Sequence, residues 1–164
     1  MSKISTALIL AAGLGSRLGS LTFNSPKAML NYNEKEIILY QLDTLKELGI
    51  NDIIVVAGYH SHLLIEFISK RYKNIKFVLN NMYASTNSAY SLNCGVGEIK
   101  SEFYIHINCD ILFSKKLLSS LINSSFENII CARNDLLLGD GMENNTVDEN
   151  DKIINMSIKN KNNS

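Results

Sequence analysis

The sequence predicts an α/β domain built on a mostly parallel sheet, and three observations carry that prediction. Short apolar runs such as Asp52-Ile53-Ile54-Val55-Val56-Ala57 read as strands buried on both faces. Between such runs lie segments whose apolar residues recur near a 3.6-residue period, the spacing of a helix with one buried face. Each strand then opens into a polar or glycine-bearing loop. Strands alternating with helices in this way give parallel pairing with crossover helices.

The elements follow in order. A first strand covers residues 5–10, and a loop of about twenty residues follows, a length that in a compact domain usually marks function. Residues 36–48 read as a helix: Ile37, Ile38, Gln41, Leu45 and Leu48 share a face, and Gly49 supplies the stop. The strand at 52–57 ends at Gly58-Tyr59. A helix at 62–72, a strand at 75–79 and a polar loop at 80–86 come next. A helix at 87–96 closes on Gly97. The strand at 103–107 ends at Asn108-Cys109-Asp110, and Ser114 caps a helix reaching residue 122. A fifth strand is expected at 128–132 and a turn at 139–141. A hairpin is expected from 146–148 and 152–158 around residues 149–151, with Asp148 and Asp151 as turn residues. One domain is expected over 1–158, with an Asn/Lys-rich frayed tail at 159–164.

Composition excludes several function classes. The 164 residues suit one domain with a real core. Lys+Arg and Asp+Glu number 16 each, a net charge of zero, which argues against nucleic-acid binding driven by bulk charge. Cys94, Cys109 and Cys131 form no CxxC or Cys/His cluster, so buried reduced thiols in a cytoplasmic protein are expected and a zinc site is not. His60, His62 and His106 are given no ligand role. The N-terminal apolar run reads as a core strand rather than a signal peptide, and no apolar run is long enough to span a bilayer.

The chemistry concentrates after the first strand. Ala11, Ala12, Gly13, Leu14, Gly15, Ser16, Arg17 and Leu18 bring small residues and backbone N–H groups close to a ligand, and Arg17 and Lys27, the latter after Pro26, add positive charge. That combination suits a polyphosphate. It is neither a P-loop, since no glycine precedes Lys-Ser/Thr, nor a dinucleotide fingerprint, since Leu18 stands where the third glycine belongs.

Two further features lie at strand ends. In a parallel sheet ligands bind beyond the carboxyl ends of the strands, so the loops at 13–17, 58–59, 80–87 and 108–110 should gather at one edge. Asp110 can hold a divalent cation there, or can cap the next helix or form a turn. Its position leaves these even, and a polyphosphate loop in the same sheet favours the metal, because a nucleoside triphosphate arrives with Mg²⁺. Thr86, Asn87 and Ser88 stand at a helix start, where small hydroxyls and an amide can read a base or bind phosphate; Thr86 or Asn87 can equally cap the helix, and both can hold.

Leu10-Ala11-Ala12-Gly13-Leu14-Gly15-Ser16-Arg17-Leu18 with Pro26-Lys27 resembles the signature of nucleotidyltransferases that activate sugar phosphates and phospho-alcohols. The stretch from Gly49 through Tyr59, followed by Asn80-Asn81-Met82-Tyr83-Ala84-Ser85-Thr86-Asn87-Ser88-Ala89-Tyr90-Ser91-Leu92, is similar to the bacterial choline-phosphate cytidylyltransferase branch. The resemblance runs over about residues 4–158 by motif order. It implies a Rossmann-like three-layer α/β/α sandwich and a reaction in which a nucleoside triphosphate and a phosphomonoester give a nucleoside-diphospho product and pyrophosphate. It places Ala11, Ala12 and Gly13 against base and ribose, with Leu10 beside them. Gly15, Ser16 and Arg17 would hold the β- and γ-phosphates, Lys27 the α-phosphate and the incoming phosphate, and Asp110 Mg²⁺. Gly58, Tyr59, Thr86, Asn87 and Ser88 would lie near the nucleoside. Arg17, Lys27 and Asp110 are thus the catalytic candidates.

The same resemblance implies CTP as the favoured nucleotide and phosphocholine or another small phosphorylated alcohol as the favoured acceptor, in the making of cell-surface polysaccharide or phospholipid precursors. Two alternatives stand beside this: a sugar-1-phosphate nucleotidyltransferase using UTP, dTTP or GTP, and a non-catalytic nucleotide-binding fragment. Family members are longer, and their C-terminal part completes the sheet, supplies the acceptor pocket and adds a second metal carboxylate. That part is expected to lie outside these 164 residues. The acceptor and the oligomeric state are not set by the sequence.

Overall fold

The structure, a computed structural model, describes residues 4–126, 128–132 and 143–158. The chain divides into two compact units, 1–125 and 126–164. The first is organised by β1 (Thr6–Ala11), β4 (Asp52–Ala57), β5 (Ile75–Leu79) and β6 (Tyr104–Asn108). These form one four-stranded sheet in the order β5-β4-β1-β6, with every pairing parallel.

All six residues of β1 are buried because the sheet is covered on both sides. Alternate side chains point to opposite faces. Ala7, Ile9 and Ala11 pack with α1 (Ile37–Glu47), α2 (Ser61–Ser69) and α4 (Lys115–Ile122), through Ile38, Leu42, Leu45, Leu64, Ile68, Leu118 and Ile122. Leu8, Leu10 and Ala12 face the other way with Ile54 and Val56, against Leu92 of α3 (Ser88–Val96). The expected helix–sheet–helix layering and Rossmann-like fold are therefore present, because apolar residues on both faces of a strand need cover on both faces.

The chain runs outward from β1 to β4 and β5, then crosses back to lay β6 on the other side of β1. The carboxyl ends of β1 and β6 are thus the switch point where such sheets bind ligands. Backbone bonds knit that edge beyond the strands: Cys109 N–H to Leu10 O at 3.1 Å, Tyr59 N–H to Ala12 O at 3.0 Å, and Asn80 N–H to Ala57 O at 2.8 Å.

Three differences from the sequence reading have physical causes. The long loop after β1 carries local structure that the sequence reading did not assign. It contains 3-10 turns at Ser16–Thr22 and Lys27–Met29 and a small hairpin of β2 (Asn31–Tyr32) and β3 (Lys35–Glu36). Asn33 and Glu34 both take positive φ, 46° and 65°, as a type I′ turn requires. Asn-Glu lacks the glycine that advertises such a turn, so the hairpin was invisible. Residues 128–132 are not a strand; Ile129 and Ile130 are 41% and 52% exposed and join no sheet among the described residues. An apolar run becomes a strand only where a neighbour takes its hydrogen bonds. Of the three thiols only Cys109 is buried; Cys94 is intermediate and Cys131 exposed.

The second unit contains the expected hairpin, β7 (Glu143–Val147) with β8 (Ile153–Ile158), antiparallel and bulged at Thr146/Val147. Asp148 Oδ1 accepts from the N–H groups of Asn150 and Lys152, both at 2.9 Å, so this acid is spent on its own turn. The turn at 139–141 and the tail at 159–164 lie outside the described residues. Among the described residues no helix is long and apolar enough to cross a membrane.

Candidate functional site

The glycine loop leaves β1 over a tightly packed floor. Leu10, Ala11 and Ala12 are buried, and the carbonyls of Leu10 and Ala12 are taken by Cys109 and Tyr59. Any contact these three make with a ligand is therefore a backbone contact. Gly58 makes the close approach possible. A Cβ at that position would stand 2.7 Å from Ala12 O and 2.8 Å from Tyr83 Cβ, nearer than atoms tolerate. Beyond the floor, Gly13, Leu14, Ser16 and Arg17 are exposed.

The loop is curled by local bonds. Gly15 takes φ 67°, a left-handed conformation that suits a residue without Cβ. Its carbonyl accepts from Leu18 N–H at 2.9 Å and from the Thr22 hydroxyl at 3.0 Å. Thr22 is 3% exposed and ties the end of the 3-10 segment to its start. No local rule singles out a threonine seven residues past a glycine, and the sequence reading missed it. The next residue is held as well: Phe23 O accepts from the Tyr59 hydroxyl at 2.8 Å and lies 3.3 Å from His60 Nε2. Tyr59, expected near the nucleoside, thus anchors the loop that follows the glycines, and His60, given no ligand role, helps it. A cleft of about 300 Å³ opens here, lined by Gly58, Tyr59, His60, Asn80 and Tyr83 among others.

At the end of β5 the polar loop is organised by Asn80, 2% exposed. Its amide nitrogen donates to Thr86 Oγ1 at 3.1 Å and to Ser91 Oγ at 3.0 Å, and its Oδ1 accepts from Met82 N–H at 2.9 Å. Thr86 in turn donates to Met82 O at 2.7 Å. Asn87 caps α3, its Oδ1 accepting from Tyr90 N–H at 3.2 Å. The cap is therefore occupied, while Asn87 and Ser88 remain exposed to a ligand.

Lys27 and Asp110 meet across the switch point. Lys27 opens the second 3-10 turn, Asp110 follows β6, and Lys27 Nζ forms an ion pair with Asp110 Oδ2, with side chains 25% and 37% exposed. Asp110 is not a helix cap, because α4 is capped by Ser114, whose Oγ accepts from Leu117 N–H at 3.1 Å. Arg17 stays on the exposed loop and joins no ion pair among the described residues. Next to Asp110, burial and the aspartate charge push the Cys109 thiol up to about 12, so it stays protonated and unreactive.

Among the described residues no three His, Cys, Asp or Glu side chains gather as a metal cage. A single half-exposed carboxylate at the switch point fits a different mode. Mg²⁺ takes one or two carboxylates and fills its remaining positions with phosphate oxygens and water, so Asp110 suits a cation that arrives on a polyphosphate. The helix face of α1 held one more surprise. Gln41, read as part of its apolar stripe, is 1% exposed and donates to Asn108 O at 2.9 Å and to Ile111 O at 2.7 Å.

A curled glycine loop after β1, an inner strand of the parallel sheet, and a lysine–carboxylate pair beyond the end of β6 define an α/β protein with a ligand site at the switch point. Residues 7–137 match the MobA-like NTP transferase domain, and the chain belongs to that family. It is 38% identical over 120 residues to the choline-phosphate cytidylyltransferase of Streptococcus pneumoniae, covering 73% of this chain and 51% of that protein. It is 38% identical over 127 residues to the CTP:phosphoglutamine cytidylyltransferase of Campylobacter jejuni, covering 74% of this chain and 49% of that one. The solved structure of the S. pneumoniae CTP:phosphocholine cytidylyltransferase superposes with a TM-score of 0.71 at 31% identity, over 95% of this chain and 65% of that one. The chain thus spans about half the length of the curated relatives it matches.

Proposed function

We propose that the chain carries the nucleotide half of a Mg²⁺-dependent cytidylyltransferase that joins CTP to phosphocholine or a similar small phospho-alcohol. The observation that carries this is the Lys27–Asp110 pair, set at the switch point of the sheet whose central strand ends in the glycine loop. A phosphate oxygen of the acceptor attacks the α-phosphorus of the nucleotide, the bond from that phosphorus to the β-bridging oxygen breaks, and pyrophosphate leaves. No covalent protein nucleophile is required. Catalysis is positioning and charge neutralisation.

Each residue then has a task set by its place. Gly15, Ser16 and Arg17, the last of which joins no ion pair among the described residues, receive the β- and γ-phosphates, while Ala11, Ala12 and Gly13 lie against base and ribose. Lys27 neutralises charge on the α-phosphate and the incoming phosphate, leaving Asp110 as it does so. Asp110 would hold Mg²⁺, which when bound supplies charge stabilisation to the phosphate oxygens. Gly58, Tyr59, Thr86, Asn87 and Ser88 border the nucleoside, where the cleft beside Gly58 and Asn80 supports the reading.

Pyrophosphate release across CTP, UTP, dTTP and GTP, each with phosphocholine and with sugar 1-phosphates, tests the proposal. CTP selectivity with a choline-type acceptor supports it. Turnover confined to a sugar 1-phosphate with another nucleotide replaces it by the sugar-activating reading. Mg²⁺·CTP binding by calorimetry without turnover reduces it to nucleotide binding. Absence of nucleotide binding removes it altogether.

A further inference from the structure

Gln41 lies on α1, deep in the layer beneath the sheet, where every neighbour on its stripe is aliphatic: Ile38, Leu42 and Leu45 are all fully buried. A primary amide taken wholly out of water is unfavourable unless its groups are paired. Its two N–H donors are paired, with Asn108 O and Ile111 O. Its Oε1 is buried and has no partner among the described residues. A leucine at this position would match the stripe without leaving an orphan oxygen. The amide therefore has a use that packing alone does not supply.

The two acceptors show what that use is. Asn108 and Ile111 flank Cys109 and Asp110, so Gln41 grips both shoulders of the turn that presents the carboxylate. Among the described residues the turn's other backbone bonds are Cys109 N–H on Leu10 O at 3.1 Å and a long bond, 3.4 Å, from Ile111 N–H to Asn108 O. The segment after it is exposed at Ile111 and Leu112, 45% and 42%, so little packing steadies it from outside. We infer that Gln41 is a positioning residue: it fixes the 108–111 turn from inside the core and thereby holds Asp110 where it meets Lys27 and, on binding, the metal of the nucleotide.

This inference rests on reading Asp110 as the metal carboxylate, and its test separates the two. Gln41→Met keeps the volume and removes both donors; Leu42→Met disturbs the same helix without touching the turn. Amide hydrogen exchange should speed up at residues 109–111 in Gln41→Met and not in Leu42→Met. Mn²⁺ binding in the presence of CTP, followed by electron paramagnetic resonance, should weaken about tenfold or more in Gln41→Met, the usual loss when a residue behind a metal ligand is removed. Unchanged exchange in Gln41→Met overturns the inference. So does wild-type Mn²⁺ affinity in Gln41→Met while Asp110→Asn loses it. If Asp110→Asn itself binds Mn²⁺ normally, the metal reading has failed and exchange alone decides the positioning role. Should Gln41→Met not fold, the wild-type protein answers by NMR. The Gln41 side-chain amide should show couplings across hydrogen bonds to the carbonyls of Asn108 and Ile111, and its signals should shift together with the Asp110 amide on adding Mg²⁺ and CTP. An amide that shows neither overturns the proposal.

Discussion

Lys27 and Asp110 stand 83 residues apart in the chain and form an ion pair across the carboxyl ends of β1 and β6. In the proposed reading this is the point where a triphosphate and its cation enter. Each member thus competes with the other's future partner: Lys27 with a metal for the carboxylate, Asp110 with a phosphate for the ammonium.

Replacing Lys27 by Met tests both sides of that competition. Turnover should fall about 100-fold or more, the scale seen when one charge-stabilising donor is lost. The fold should hardly notice, since a partly exposed ion pair contributes about 1 kcal/mol at most. Without nucleotide, Mn²⁺ should bind Asp110 more tightly in the variant than in the wild type. Steady-state kinetics, thermal melting and an Mn²⁺ titration read these three outcomes, and wild-type turnover at saturating substrates would remove Lys27 from the chemistry.

Gly58→Val should damage stability and nucleotide binding together. Its Cβ would stand 2.7 Å from Ala12 O, a backbone atom that cannot step aside without parting β1 from the β4 loop. The cost of such overpacking is about 1–3 kcal/mol, measurable by urea unfolding. A variant as stable as the wild type would mean that the floor is softer than its geometry implies.

Tyr59→Phe isolates the anchor on Phe23. It removes the 2.8 Å bond to Phe23 O and keeps the ring against Tyr83. A lost hydrogen bond of about 1 kcal/mol corresponds to roughly a fivefold rise in KM for the nucleotide, with kcat little changed because the phenol proton is already donated to Phe23 O. A fall in kcat at constant KM would instead give the hydroxyl a direct role.

Cys109 predicts an alkaline weakness. Its thiol is pushed up to about 12 from an ordinary 9.0, chiefly by burial. The unfolded chain therefore loses this proton first. The contribution is whole below about pH 9 and drains away as pH rises toward the folded value, at roughly 1.4 kcal/mol per pH unit. Urea unfolding from pH 8 to 10.5 should show a shallower decline for Cys109→Ala than for the wild type. In the same range a thiol reagent should label exposed Cys131 in the native protein and Cys109 only after unfolding. Parallel pH profiles, or rapid native labelling of Cys109, would contradict the buried thiol.

By itself the sequence determined the four strands of the parallel sheet and the helices that cover it, while adding a strand at 128–132 that does not form. β4 and β5 fell on the expected residues, Ser114 and Asn87 on their caps. Those features are written in short-range periodicity, strand-length apolar runs and hydroxyl or amide caps, each readable within a few positions. It also located Lys27 and Asp110 as candidates, through the loop motif and a carboxylate at a strand end. The tertiary structure alone decided which candidates meet. The order β5-β4-β1-β6 sets β6 beside β1 and brings Lys27 to Asp110. Packing of α1 beneath that edge turns Gln41 from one residue of an apolar stripe into the grip on the Asp110 turn. Thr22 and Asn80 gain their roles the same way, from the curl of a loop. The reason is physical: backbone preference and burial act locally along the chain, whereas a side-chain bond depends on which distant segment the packed core places within reach.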